Sequence, residues 1–211
     1  MKAIVPLART TTRTLIMHFL SLSILVTLCS YSLFGMHQSQ DKVPGENLAE
    51  MQILGEKLAT PNTNHEFLAQ FAGVWDTSTS IMDMEPTLGT ATYKMILGNR
   101  YLDGTHDGNF MGIPFEGRLT IGYDNYKHKF LASYIDNLGT SMRPAEGMLN
   151  RKGDVLSLWG PMDEWMTDEH DKPVKYTYAW IDNNHFVFEV HDLALGEQSK
   201  VITVTYTRQT K

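Results

Sequence analysis

From Gly73 onward, hydrophobic and polar residues alternate with a period of two, and this pattern holds to the end of the chain. It divides into ten short runs, near 73–83, 89–97, 100–110, 115–123, 128–137, 141–149, 154–162, 174–182, 185–192 and 199–208. A period of two puts successive side chains on opposite faces of a strand. Between the runs lie Gly98-Asn99, Gly112-Ile-Pro114, Asp124-Asn125, Asn137-Leu-Gly139, Asn150-Arg-Lys-Gly153, Asp182-Asn-Asn184 and Leu195-Gly196. Glycine and asparagine supply the positive φ that tight hairpin turns need. Ten strands joined by short turns, without helical crossovers, form an antiparallel meander. The one longer gap, Asp163 to Pro173, reads as an acidic loop around Trp165 and His170 that could act as a lid.

The alternation can be checked against a register. With Gly98-Asn99 as a two-residue turn, Leu97 faces Arg100, Met95 faces Leu102, Tyr93 faces Gly104 and Ala91 faces His106. Tyr93, Met95, Leu97 and Leu102 then share a face opposite Thr92, Lys94 and Asp103. The next run repeats the division, with Phe115, Leu119, Ile121 and Tyr123 inward and Glu116, Arg118 and Thr120 outward. A long meander with one apolar face stacks as two sheets or closes on itself, and closure also removes exposed edges. The expectation is an all-β, up-and-down antiparallel barrel over residues 63–211. A short helix precedes it, with a plausible start at Thr63-Asn64-His65-Glu66 and Gly73 ending its turn.

The chain before the barrel has a different character. Lys2, Arg9 and Arg13 precede an apolar run from Leu15 to Leu28, and no acidic residue occurs before Asp41. This is the layout of a signal peptide. Residues 1–35 are therefore read as a signal peptide, cleaved near Ser32 or Gly35, or as an uncleaved anchor, for which about 20 apolar residues would be needed. The expected location is periplasmic or extracellular, membrane-anchored where cleavage fails. Residues 36–62 read as a linker with one short helix near Glu46–Leu58. Cys29, the only cysteine, falls in the apolar run, so the barrel domain holds no internal disulfide.

Removing residues 1–32 takes away three basic residues and no acidic ones, leaving 15 basic against 24 acidic and a net charge of −9. Such a surface repels phosphate backbones and anionic membranes, which disfavours nucleic acid as a partner. Oligomeric state is not legible.

Gly73-Val74-Trp75 after a short helical turn resembles the Gly-x-Trp opening of lipocalins and other calycins. In those barrels a basic residue of the last strand packs over the tryptophan, and Arg208 stands where that residue would be. A wider resemblance covers residues 61–209. His65, Leu68-x-x-Phe71-x-Gly-x-Trp75, Gly89-x-Ala-x-Tyr93, Met95-Ile-Leu-Gly-x-Arg100-Tyr-Leu102, Met111-Gly-x-Pro-Phe-Glu-Gly117, Gly122-Tyr-Asp-Asn125, Glu146-Gly147 and Thr203-x-Thr-Tyr-Thr-Arg208 resemble the bacterial family catalogued as domain of unknown function 1579. That resemblance implies a calycin-like barrel in an often exported protein and carries over no established activity. Tyr134 departs from it, standing where a tryptophan is expected, and the 163–173 loop looks idiosyncratic.

Candidate interior residues follow from the register: Tyr93, Met95, Arg100, His106, Tyr123, Tyr134 and Asp136, with Trp75 and Arg208 closing the barrel. Asp136, on an apolar face with Phe130, Ala132 and Tyr134, must be paired or neutral, and Arg100 is its expected partner. Met95, Met111, Met142 and Met148 suggest an adaptable lining. The histidines show no metal-ligand spacing. His185 and His191 share a face but stand roughly 20 Å apart by strand rise. No nucleophile-elbow or catalytic-triad context appears, so no catalytic residue, metal or cofactor is expected. The preferred reading is a barrel holding a small apolar ligand. The rivals are an enzyme using Asp136 or His106 and a cell-envelope interaction module with a filled barrel.

Overall fold

A computed structural model describes residues 48–82, 84–164 and 167–210, and for Glu197 and Gln198 the backbone only. The expected signal peptide or anchor lies outside the described residues, as does Trp165. No helix among the described residues is long and apolar enough to cross a membrane.

Two helices lead into ten strands. They are α1 (Leu48–Ala59), α2 (Thr63–Ala69), β1 (Gly73–Ile81), β2 (Thr87–Ile96), β3 (Tyr101–Phe110), β4 (Ile113–Asp124), β5 (Lys129–Asp136), β6 (Arg143–Leu149), β7 (Val155–Glu164), β8 (Glu169–Asp182), β9 (His185–Asp192) and β10 (Lys200–Arg208). Every strand pairs antiparallel with its sequence neighbours, and β1 also pairs with β10, closing an up-and-down barrel. Closure leaves no strand edge unpaired. Because the chain runs up and down, its turns fall alternately at two ends. The end carrying α2 is called the floor here, and the other end the mouth.

The register predicted for β2 and β3 is the observed one, with Met95 opposite Leu102, Tyr93 opposite Gly104 and Ala91 opposite His106. The turn itself differs. It takes four residues, Leu97 to Arg100, with the Arg100 amide donating to the Ile96 carbonyl, and Leu97, Gly98 and Asn99 all at positive φ. Lengthening a turn by one residue on each side preserves the register, but it lifts Leu97 out of the inward row, and its side chain is exposed. A second difference lies at the expected lid. β7 runs on to Glu164 and β8 begins at Glu169, so most of the acidic stretch is paired strand, with Met162 opposite Lys172 and Pro161 opposite Pro173. Pro173 and the dense charge hid the alternation there.

The floor is sealed by α2. Asn62 caps the helix, its side-chain oxygen accepting from the Asn64 amide at 2.9 Å while His65 Nδ1 accepts from the Asn62 amide at 3.0 Å. The cap is tied to the β4–β5 turn, because Asn62 donates to Asn125, and Asn125 Nδ2 lies 2.8 Å from the carbonyls of both Leu58 and Thr60. Phe67, Leu68 and Phe71 then point into the barrel and are buried.

At the far end of α2 the last carbonyls meet two side chains. Trp75 Nε1 donates to the Phe71 carbonyl at 2.9 Å. Arg208 donates to the carbonyls of Ala72, Gln70 and Asn183 at 2.7, 2.8 and 2.6 Å, and its guanidinium lies 4.0 Å from the centre of the Trp75 ring system. A cation at a helix C-terminus also opposes the negative end of the helix dipole. Gly73, at φ +145°, makes room for this, since a Cβ there would run into the Arg208 guanidinium.

Arg208→Leu removes the cation–π contact and the partner of three carbonyls, and is expected to destabilise the fold by about 2–3 kcal/mol. Gly73→Ala, by displacing the same guanidinium, is expected to cost roughly as much. Urea unfolding checks both, and a loss below about 0.5 kcal/mol in either would contradict the clamp.

Candidate functional site

Inside the barrel the two ends differ in chemistry. The floor is a packed aromatic cluster in which Phe186 lies 4.7 Å from Trp75, 4.8 Å from Phe71 and 4.0 Å from Tyr206, centre to centre. Trp75, Phe130, Phe186, Leu102 and Leu156 are fully buried there. These side chains fill the interior of this half.

Above that cluster lies a layer of phenols. Tyr93 on β2, Tyr134 on β5, Tyr176 and Tyr178 on β8 and Tyr206 on β10 all occupy inward positions of the registers. Tyr93 Oη lies 2.8 Å from His106 Nε2 and 3.5 Å from Tyr206 Oη. Tyr134 leans across β4, where Gly117 leaves the space, since a Cβ at position 117 would meet its hydroxyl. Tyr134 and Tyr176 remain partly accessible although they face inward, as do Phe188 and Ile202. The group of inward residues that keep partial exposure toward the mouth is called the cup here. Two polar atoms in this layer, Tyr176 Oη and His106 Nδ1, are sealed from solvent and make no hydrogen bond. Orphaned buried polar atoms are rare in native structures and call for an explanation.

Burial governs the titration of the layer. It raises the phenols of Tyr93 and Tyr178 well above their ordinary value of 10, and that of Tyr206 to about 12. Burial also pulls His106 down from 6.5 to about 4, against the opposing effects of Asp107 and the Gly117 backbone. At neutral pH the layer is therefore uncharged.

Charges return at the mouth in two groups. Asp136, the last inward residue of β5, accepts from Arg143 Nη1 at 2.6 Å and from the Leu138 amide at 3.0 Å. Arg143 opens β6 with its guanidinium 5.6 Å from the Tyr134 ring centre. Across the opening, buried Lys172 lies 2.8 Å from Asp192 and 3.2 and 3.3 Å from Glu164 and Glu169. The hydrogen bond to Asp192 holds the Lys172 ammonium well above its ordinary value, outweighing burial. Burial, the largest single effect on Asp192, would raise it, but the bond and charge of Lys172 and the Ala194 amide together outweigh it and lower the carboxyl.

Of the seven interior candidates, Tyr93, His106, Tyr134 and Asp136 come together in the cup. Met95 belongs to the floor, opposite Leu102. Tyr123 is also at the floor, packed against Phe130 at 5.0 Å and His65 at 5.9 Å. Arg100 is not interior. It folds back on its own turn, donating to the carbonyls of Leu97 and Gly98, beside an outer groove of about 590 Å³ shared with Leu58 and Tyr101. The expected Arg100–Asp136 pair is therefore corrected to Arg143–Asp136. Arg100 sits in a floor turn and Asp136 at the mouth, and alternate turns of a meander lie at opposite ends. The methionine lining is corrected too, because Met111, Met142 and Met148 are exposed. Met111 and Met142 lie outside the strands, in the connections, and Met148 has outward parity on β6. His185 and His191 point away from the interior toward Asp182 and Glu189.

Residue reading missed Arg143, Lys172, Tyr176, Tyr178, Asp192 and Tyr206. Arg143 shares parity with Ala145 and Gly147 and could have been placed by counting. Lys172 could not, while its segment was taken for a loop.

The fold and site thus define a closed ten-stranded meander barrel, sealed at one end by a helix and aromatic side chains, with a layer of inward phenols toward the other. Residues 60–208 match the family described as "Protein of unknown function (DUF1579)". The chain belongs to that family. A search of curated proteins gives no match. Among solved structures the chain is similar to designed barrels. One is a de novo fluorescence-activating β-barrel, at 13% identity and TM-score 0.40, covering 67% of this chain and 96% of that one. Another is a redesigned β-barrel bound to DFHBI, at 11% identity and TM-score 0.39, covering 66% and 99%. That degree of likeness is too low to carry a ligand across.

Because burial favours neutral His106, stability from this group is fully present above pH 6.5 and is lost as pH falls toward 4. The expected loss is about 2–3 kcal/mol. Urea unfolding at stepped pH should show it, and His106→Gln should flatten that window. An unchanged pH profile in the variant would contradict the assignment.

Proposed function

We propose that this protein is an exported binding protein, periplasmic or extracellular, whose cup holds one small, largely apolar molecule without covalent chemistry. One observation carries the reading: inward aromatic residues keep partial exposure in the same layer that holds two polar atoms without partners inside the protein. A ligand with an apolar body would cover Tyr134, Tyr176, Phe188 and Ile202, the usual composition of a small-molecule site. The net negative surface and the signal-peptide layout of residues 1–35 support export.

The shifts on the cup residues favour binding over catalysis. A general acid or base works best with a pKa near the operating pH. Here burial drives His106 down and the phenols up, away from neutrality on both sides. Asp136 is held in place by Arg143 and by a backbone amide.

Native mass spectrometry of the protein purified from its own cells is expected to show a co-purifying small molecule. Ile202→Trp, which fills the cup from β10, is expected to abolish it while the circular dichroism spectrum is retained. A ligand-free wild-type protein would contradict the proposal. Export predicts an intact mass lacking about the first 32–35 residues, and a cytoplasmic full-length chain would contradict that part.

A further inference from the structure

The charges at the mouth do not cancel, and the imbalance bears on what the cup accepts. Arg143 has its own carboxylate in Asp136, and Lys172 has its own in Asp192, at 2.6 and 2.8 Å. Glu164 and Glu169 are surplus. Each reaches Lys172 through Oε2 alone, and each side chain keeps substantial exposure, 31% and 48%. Among these six side chains negative charges outnumber positive ones by two, on a domain whose overall balance is negative as well. A mouth of one sign, opening onto walls of low polarity, concentrates ligands of the other sign.

Behind the rim the lining is π-rich. Tyr176 is stacked on Phe188 at 6.2 Å, Tyr178 lies 4.8 Å from the same ring, and Tyr134 faces His106 at 5.8 Å. Aromatic faces attract cations, most strongly where water is excluded. An anionic headgroup finds the reverse, since Arg143 and Lys172 are already matched and the surplus carboxylates repel it.

We infer that the ligand is a small organic cation, an ammonium group on an apolar body, drawn in by Glu164 and Glu169 and held against the tyrosine and phenylalanine faces. This rests on the cup reading above and goes further by fixing the ligand's charge.

The test titrates the full-length protein calorimetrically with three molecules of similar body and different head: phenethylamine, phenethyl alcohol and hydrocinnamate. Phenethylamine is expected to bind on the order of ten-fold tighter than the alcohol, and hydrocinnamate more weakly than either. Replacing both Glu164→Gln and Glu169→Gln is expected to shrink the preference for the amine to within about three-fold. Tyr134→Leu, which leaves the rim charges in place, is expected to weaken the amine about five-fold and serves if the double variant does not fold. Binding of the alcohol or hydrocinnamate as tightly as the amine, in a manner blocked by Ile202→Trp, overturns the cation and leaves the cup standing. Amine binding that survives Ile202→Trp puts the cation on the acidic exterior and also overturns the inference. Failure of all three probes, together with a ligand-free native protein, overturns inference and cup alike.

Discussion

The guanidinium of Arg208 against the indole of Trp75 is the contact on which the architecture depends. It joins the last strand to the first, the one pairing a meander cannot obtain from chain neighbours, and it gives the last carbonyls of α2 a donor. A helix end pressed onto a barrel would otherwise carry orphan carbonyls away from water. Gly73 supplies the space and Phe186 the second wall of the tryptophan site. One charged side chain thus closes the sheet, caps the helix and shuts one end of the interior.

Closing that end decides the use of the other. The floor takes most of the large apolar side chains, so the upper half is left with tyrosines, glycines and charged residues whose polar ends must be satisfied near water. Tyrosine suits such a layer, because its ring packs like an apolar side chain while its hydroxyl can bond a neighbour, as Tyr93 does with His106. The paired charges at the rim stand at the last inward positions of β5 and β9, at the first of β6 and near the start of β8, where strands leave or enter the shelter of the barrel. Burial keeps the layer between them uncharged, and that favours recognition by fit, hydrogen bonding and π-contact.

The ten strands, their order, and the inward rows of β2 to β5 were legible because alternation is a local property, carried within each strand. The helix start at residue 63 was legible from its polar residues, although the cap proved to be Asn62. The four residues of the cup that were found, Tyr93, His106, Tyr134 and Asp136, all lie on the stretch where one hairpin register could be propagated. Beyond it, proline and clustered acids broke the alternation, and the second half of the cup was lost with it.

Partners across the barrel are a different matter. Parity says that a side chain points inward, but it does not say at what height. Arg100 and Asp136 therefore looked compatible while lying at opposite ends, and Arg143 went unnoticed at Asp136's side. The chain alone determined a closed meander with a tryptophan and an arginine to fasten it, since those follow from period, turns and a short motif. Only the folded barrel decided which inward residues share a level, because strands distant in sequence are brought side by side by closure and by nothing in their local pattern.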